Sequence, residues 1–377
     1  MIRRSFLPLS LPVILLVTAV PTGADDPETT SGVDAGTFGQ AVDRAIRYLE
    51  TKGQALDGSY SGQAGPGVTA LVTTAIMRHG RTPTDPLVAR SLKYLEGFVR
   101  EDGGIYQKEG FVRNYETSLA ILCFSEANRD GRYDKLIQNA DRFVKDLQWD
   151  EGEGHNRSSY NYGGAGYGRH KRPDLSNTSF LVDALRAAGA GPDDPALKKA
   201  LIFVSRCQNL ETEYNTTKFS AKNPDGGFYY TCAAGGSSAA GETANGGLRS
   251  YGSMTYAGLK SMIYAGLKAD DPRVKAALKW IQRHYGLDSN PGLGDQGLYY
   301  YYHTFAKALD ATGLDTVEGA DGLKHDWRRD LRQELIRRQR PDGSWINQAD
   351  RWMESDPNLV TGYALLALSY CRPGVPK

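Results

Sequence analysis

Three side chains with chemistry to offer sit in equivalent places along this chain. Glu116, Asn177 and His303 each stand one residue before a threonine, Thr117, Thr178 and Thr304, and each threonine opens into an apolar run. The same column continues at Val68, Met254 and Val360, before Thr69, Thr255 and Thr361. A carboxyl and an imidazole brought to one site can act as a general acid/base pair, so Glu116 and His303 are the candidate catalytic residues. Arg249, Tyr251 and Tyr301 lie near the same helix starts and are candidate ligand-orienting groups. A mostly apolar pocket with a few convergent polar groups is the default form of a ligand site.

The column needs elements that repeat. Amphipathic helices are expected at about 38–53, 86–101, 134–148, 194–208, 271–285 and 325–340, from apolar residues at helical spacing such as Ala45, Tyr48 and Leu49. A glycine-rich loop follows each, and a more apolar helix then opens near Thr69, Thr117, Thr178, Thr255, Thr304 and Thr361. Gly80, Gly189, Gly266 and Gly313 follow these runs as helix C-terminal glycines do. Recurrence of one unit is the sequence signature of repeat architectures. Six amphipathic and six apolar helices in alternation predict an all-α (α/α)6 toroid, with the apolar helices as the inner ring. Long outer-to-inner and short inner-to-outer connections make the inner helices parallel, so their N-termini share one mouth. Six N-termini there favour an anion or a polarised group. The threonines are expected as caps for free backbone N–H groups. Residues 149–172 and 209–252 are long insertions expected to hang over that mouth.

The loops carry a resemblance. Gln339-x-x-Asp-Gly-Ser-Trp345 resembles the QW repeat of squalene and triterpene cyclases, and Gln54-Ala-Leu-Asp-Gly-Ser-Tyr60 repeats its spacing. Asp102-Gly-Gly-Ile and Asp225-Gly-Gly-Phe-Tyr look like degenerate copies. With six units, the chain resembles the terpenoid cyclase and protein prenyltransferase superfamily. The resemblance implies the toroid, and gives the glutamine and the aromatic residue the job of tying an outer helix to its loop.

The same resemblance identifies what is missing. Squalene–hopene cyclases carry Asp-x-Asp-Asp-Thr at an inner-helix start, with the middle aspartate as the proton donor. Here the run is Asp174-Leu175-Ser176-Asn177-Thr178. Ser176 stands where the acid would be, and a hydroxyl is too weak an acid to protonate an alkene. Asp174, Ser176 and Asn177 remain as ligand-binding candidates, though the run also reads as a plain helix N-terminus. Prenyltransferase β subunits hold zinc with Asp-x-Cys at one helix start and His-Thr at another. His303-Thr304 matches the second, but Tyr251-Gly252-Ser253 falls at the first and supplies poor zinc ligands. No metal and no cofactor is expected. The Gly-Cys-Gly-Glu-Gln run of thioester toroids is absent.

Composition narrows the partners. Lysine and arginine number 45 against 44 aspartates and glutamates, which argues against a nucleic-acid partner. Twenty-two tyrosines, each a flat apolar face with a polar tip, suit the lining of a cavity. Arg3 and Arg4, the apolar stretch from Phe6 to Val20, and Thr22-Gly23-Ala24 predict a signal peptide over residues 1–24 and export to a periplasmic or extracellular space. Residues 25–37 are then expected as a flexible segment, and 38–377 as a single toroid domain with no stable membrane span. Of the four cysteines, Cys123 and Cys371 read as buried thiols, while Cys207 and Cys232 flank one insertion and leave a disulfide open.

Two readings of function follow. In one, an exported cyclase-like protein keeps a small-molecule pocket at the mouth, without the acid or the zinc of either family, as an enzyme or a non-catalytic binder. In the other, a toroid lyase or hydrolase acts on an oligosaccharide, with His303, a tyrosine and Arg249 handling a uronate.

Overall fold

The computed structural model describes residues 27–168 and 172–373, with side chains from residue 36 onward. The outer helices are α1 (Pro27–Tyr48), α3 (Pro86–Glu96), α5 (Asp134–Asp146), α7 (Pro195–Arg206), α9 (Pro272–Arg283) and α11 (Trp327–Arg338). Alternating with them are α2 (Pro66–Arg78), α4 (Arg113–Ala127), α6 (Leu175–Ala187), α8 (Gly252–Tyr264), α10 (Leu298–Thr312) and α12 (Pro357–Ser369). These six pack each on the next, and α12 returns to α2, so the inner ring closes. The fold is the (α/α)6 toroid.

Local sequence sets the helix starts. Asp85-Pro86, Asp194-Pro195 and Asp271-Pro272 each pair a capping aspartate with a proline at the first helical position. The aspartates accept from the backbone N–H of Leu87, Ala196 and Arg273 at 2.8–3.0 Å. α1 begins at Pro27. Residues 1–24, the expected signal peptide, lie outside the described residues. A short hairpin, β1 (Thr316–Glu318) with β2 (Lys324–Asp326), joins α10 to α11 and was not anticipated.

The Asp-Gly loops have a physical cause. Each aspartate accepts the backbone N–H two residues on: Asp57 from Ser59, Asp102 from Gly104, Asp225 from Gly227 and Asp342 from Ser344. The glycine that follows has positive φ and lies on the backbone of the next outer helix. A Cβ on Gly58 would stand 2.4 Å from the Arg90 carbonyl oxygen, and one on Gly343 2.4 Å from that of Arg44. The glutamines bind the same seam. Gln339 Nε2 donates to the carbonyls of Ala41 and Gly343, so the sixth unit is tied to the first. Gln54, Gln148 and Gln208 do the same between their loops and α3, α7 and α9. The glutamine therefore joins successive outer helices, not only a helix to its own loop.

The threonine column corrects one expectation. The inner helices begin three to six residues before the threonines, so these do not cap the free N–H groups of their own helices. Five of them accept a backbone N–H from the preceding loop: Tyr60 to Thr69, Ile105 to Thr117, Ala165 to Thr178, Phe228 to Thr255 and Trp345 to Thr361, at 2.9–3.1 Å. Thr304 instead donates to the Tyr301 carbonyl. All four cysteines are buried free thiols, and Cys207 lies against Cys232.

Candidate functional site in the ring lumen

In this ring α6 and α10 are separated by α8, and α4 and α12 by α2. A side-chain contact between members of either pair must therefore cross the lumen. Ser176 Oγ lies 3.0 Å from the Tyr300 hydroxyl, bridging α6 and α10. The hydroxyls of Tyr115 and Tyr363 hydrogen-bond to each other between α4 and α12. Phe180 meets Tyr115 edge-on at 5.0 Å and Tyr300 at 6.1 Å. Tyr300 and Tyr363 are 5.9 Å apart, and the His303 ring is 5.8 Å from Tyr363. Tyr115, Ser176 and Tyr300 are half-buried although they sit at the centre of the ring. The centre of the ring is therefore lined by aromatic side chains that meet one another across it, with some surface left on Tyr115, Ser176 and Tyr300.

Below the aromatic layer lies an ion cluster. Asp183 on α6 binds Lys260 of α8 through Oδ1 at 2.6 Å and Lys307 of α10 through Oδ2 at 2.7 Å. These side chains are 4%, 4% and 7% exposed. Burial works against the charge on Asp183, but its two lysines outweigh it and hold the carboxyl below the usual range. Each lysine has only a share of one anion, so desolvation wins there. It pushes Lys260 down to about 8 and lowers Lys307. Lower still, Arg78 pairs with Glu126 at 3.2 Å and donates to the Tyr370 hydroxyl at 2.8 Å. A cleft of about 420 Å³ lies beyond, against Arg129 and Arg372.

The expected site residues divide between the lumen and its rim. Ser176 and His303 face the lumen. His303 is 6% exposed, its Nδ1 has no partner, and burial together with Lys307 keeps it neutral by lowering its basicity. Glu116 is buried in the first turn of α4, with Oε2 accepting the Gln107 N–H at 3.1 Å. Desolvation pushes its carboxyl up to about 7. No hydrogen bond links Glu116 to His303, and their electrostatic neighbours differ, so the structure does not assemble them as a pair.

Asp174 is fully buried as the N-cap of α6. It accepts from the Asn177 backbone N–H at 2.8 Å and the Asn177 side chain at 2.9 Å. Burial pushes its carboxyl up to about 6. Tyr230 hydrogen-bonds to it, and Arg172 lies over the Tyr230 ring at 5.5 Å, so the insertions do pack on the mouth. Tyr251 is buried at the start of α8. Tyr301 donates to the Gly286 carbonyl at 2.7 Å and faces away from the lumen, because residues 300 and 301 point to different sides of one helix. Arg249 is exposed and donates to the Glu242 carbonyl.

Sequence reasoning placed the tyrosines from 299 to 302 at the mouth but chose Tyr301 over Tyr300, and it missed Tyr115, Phe180, Tyr363 and the cluster of Asp183, Lys260 and Lys307. The signal for the cluster was present: each is a charge inside an apolar inner helix, as in Phe305-Ala306-Lys307-Ala308-Leu309. Such a charge is rarely buried unless paired. Among the described residues, no group of three or more histidines, cysteines or carboxylates is placed to hold a metal ion. No helix there is long and apolar enough to cross a membrane.

Comparison with known proteins agrees with this architecture. The family profile of the squalene-hopene cyclase C-terminal domain matches residues 63–233. A probable squalene–hopene cyclase of Sinorhizobium fredii is 25% identical over 207 residues, which cover 54% of this chain and 31% of that protein. The match thus spans less than a third of the relative's length. Apo type II terpene cyclase MstE from Scytonema superposes with a TM-score of 0.51 at 14% identity, over 89% of this chain and 98% of that one. A variant of it in complex with its product, merosterolic acid A, gives 0.50 at 14% identity, over 91% and 99%. A protein from Actinoplanes gives 0.50 at 15% identity, over 89% and 99%.

Proposed function

We propose that this chain, a member of the terpenoid cyclase superfamily by fold, holds an apolar, isoprenoid-like small molecule in the ring lumen, entered from the mouth at the inner-helix N-termini. The observation that carries the reading is the cluster of aromatic side chains, Tyr115, Phe180, Tyr300 and Tyr363, gathered at the centre of the ring. Aromatic faces bury large apolar area against a flat or chain-like ligand. Solved neighbours of the same fold bind terpenoid molecules: MstE variants are described in complex with merosterolic acid A and with geranylgeranyl dihydroxybenzoate.

The chemistry we assign is holding rather than acid-initiated cyclisation. Ser176 stands where the cyclases keep the donor aspartate, and its hydroxyl is bonded to Tyr300. Asp174, the nearest carboxyl in the motif, is enclosed as a helix cap with no exposed surface. His303 is held neutral. We propose further that the protein is exported, on the strength of residues 1–24. N-terminal sequencing of the protein recovered outside the cytoplasm tests that point, and an intact residue 1 there contradicts it. The oligosaccharide lyase reading gains no support from Arg249 or Tyr301, whose polar groups bind backbone carbonyls outside the lumen.

The test is a thermal-shift series with farnesol, squalene and a uronic oligosaccharide. A ligand that binds only the folded state raises the melting temperature by mass action. A concentration-dependent rise with the isoprenoids alone supports the reading. A rise with the oligosaccharide alone overturns it.

A further inference from the structure

Charge in the lumen floor is unbalanced. Arg78 and Glu126 cancel, while Lys260 and Lys307 face the single carboxylate of Asp183. The two lysines are not equivalent. Lys260 Nζ fills its three donor positions with Ser179 O at 3.0 Å, Ser179 Oγ at 2.6 Å and Asp183 Oδ1 at 2.6 Å. Among the described residues Lys307 Nζ has one protein partner, Asp183 Oδ2 at 2.7 Å, and an ammonium has three donors. His303 sits one helical turn before Lys307 on the same face of α10, against Tyr363 in the lumen. The residue is 6% exposed, and among the described residues its Nδ1 has no partner. Buried polar groups are normally satisfied, so polar atoms left open at the centre of the ring point to something that fills them.

We infer that Lys307 and His303 form an anion-receiving floor, and that the lumen takes an apolar chain ending in a carboxylate, carboxylate inward. This rests on the proposed lumen site and names the ligand class for it. One negative charge neutralises the floor. A carboxylate supplies one, whereas a diphosphate brings more than the floor can balance, and unpaired buried charge is strongly disfavoured. The carboxylate accepts from the free Lys307 N–H groups and from an imidazole N–H of neutral His303. Its chain then runs up the lumen past Phe180, Tyr300 and Tyr363 toward the mouth. Neither a metal nor a covalent step is required.

The experiment compares farnesoic acid, farnesol and farnesyl diphosphate, which share one chain, by titration calorimetry on the full-length protein and on Lys307→Met. Methionine keeps the length of the lysine stem and removes the excess charge, leaving Lys260 and Asp183 paired one to one. The expected wild-type result is farnesoic acid tighter than farnesol by about tenfold or more, the scale of a charge-assisted hydrogen bond, with the diphosphate weaker than the acid. In Lys307→Met the acid should lose that advantage while farnesol binds as before. Farnesol binding with no preference for the acid, or a preference that survives Lys307→Met, overturns the carboxylate floor and leaves the lumen site standing. If none of the three binds, the lumen site falls and the floor with it. Should Lys307→Met fail to fold, His303→Phe carries the same comparison. There a partial loss of the acid preference is expected, and an unchanged preference counts against the inference.

Discussion

Glu116→Gln should become more stabilising relative to the wild type as pH rises. Glu116 is buried, and desolvation moves its carboxyl from 4.5 to about 7. A carboxyl whose affinity for the proton is raised by folding stabilises the fold only while it is neutral. Its contribution is fully present below the unfolded value and is lost as pH rises through the folded one. At about 1.4 kcal/mol per pH unit, the loss is on the order of 3 kcal/mol by pH 8. Glutamine keeps an acceptor for the Gln107 N–H and has no charge to expose. His79, lowered to about 4, and His303 titrate in the same range with the opposite sign, so the wild-type profile alone is ambiguous. They cancel in the difference between variant and wild type. Urea unfolding at pH 4, 5, 6, 7 and 8 therefore should give a variant-minus-wild-type difference that climbs by about 3 kcal/mol across the series. A flat difference would refute the claim that this carboxyl is desolvated, and with it the idea that Glu116 is poised as an acid near neutral pH.

Other substitutions probe other links. Asp183→Asn leaves two buried lysines without an anion and should cost about 3–5 kcal/mol at pH 7, with the deficit shrinking as pH rises through about 8, where Lys260 loses its proton; chemical denaturation on both sides of that pH checks it. Lys307→Met removes the unbalanced charge instead and should leave stability at pH 7 unchanged or raised, measured the same way. Gly343→Ala drives a Cβ to 2.4 Å from the Arg44 carbonyl at a φ of +90°, so it should destabilise by about 2 kcal/mol or more, whereas Gly80→Ala, with open space around it, should cost about 1 kcal/mol from its positive φ alone. Cys207 and Cys232 are the pair in contact, so protein recovered from an oxidising compartment should have lost two hydrogens and resist alkylation there, while Cys123 and Cys371 remain thiols; four alkylated cysteines after denaturation would contradict this.

The ring was legible because its cause is periodic. Aspartate–proline starts at α3, α7 and α9, positive-φ glycines after α2, α6, α8 and α10, and apolar spacing along the helices recur around the ring, and each is a local preference that packing reinforces. The glutamine and Asp-Gly positions of two loops were also visible. That Gln148 and Gln208 play the same part was hidden, because the insertions after them stretch the spacing. The site was read less well for a geometric reason. Counting from the threonine column selects the residue before each threonine, but the threonine is turned toward its loop. Lumen-facing positions therefore fall elsewhere along each helix, at Tyr115, Phe180, Tyr300 and Tyr363. Ser176 and His303 were found because the motif and the column happen to include them. Contacts across the ring, such as Lys307 to Asp183, join residues 124 apart in the chain, a relation no local pattern records.

The most direct measurement is photo-crosslinking of the folded protein with a diazirine-bearing farnesol analogue, followed by peptide mapping. The account predicts adducts on the peptides holding Tyr115, Phe180, Tyr300 and Tyr363, and their loss when unlabelled farnesol is in excess. Adducts confined to the surface groove by Ser125, Asn128 and Gln138, or to the 209–252 insertion, with the lumen tyrosines unlabelled, would contradict it.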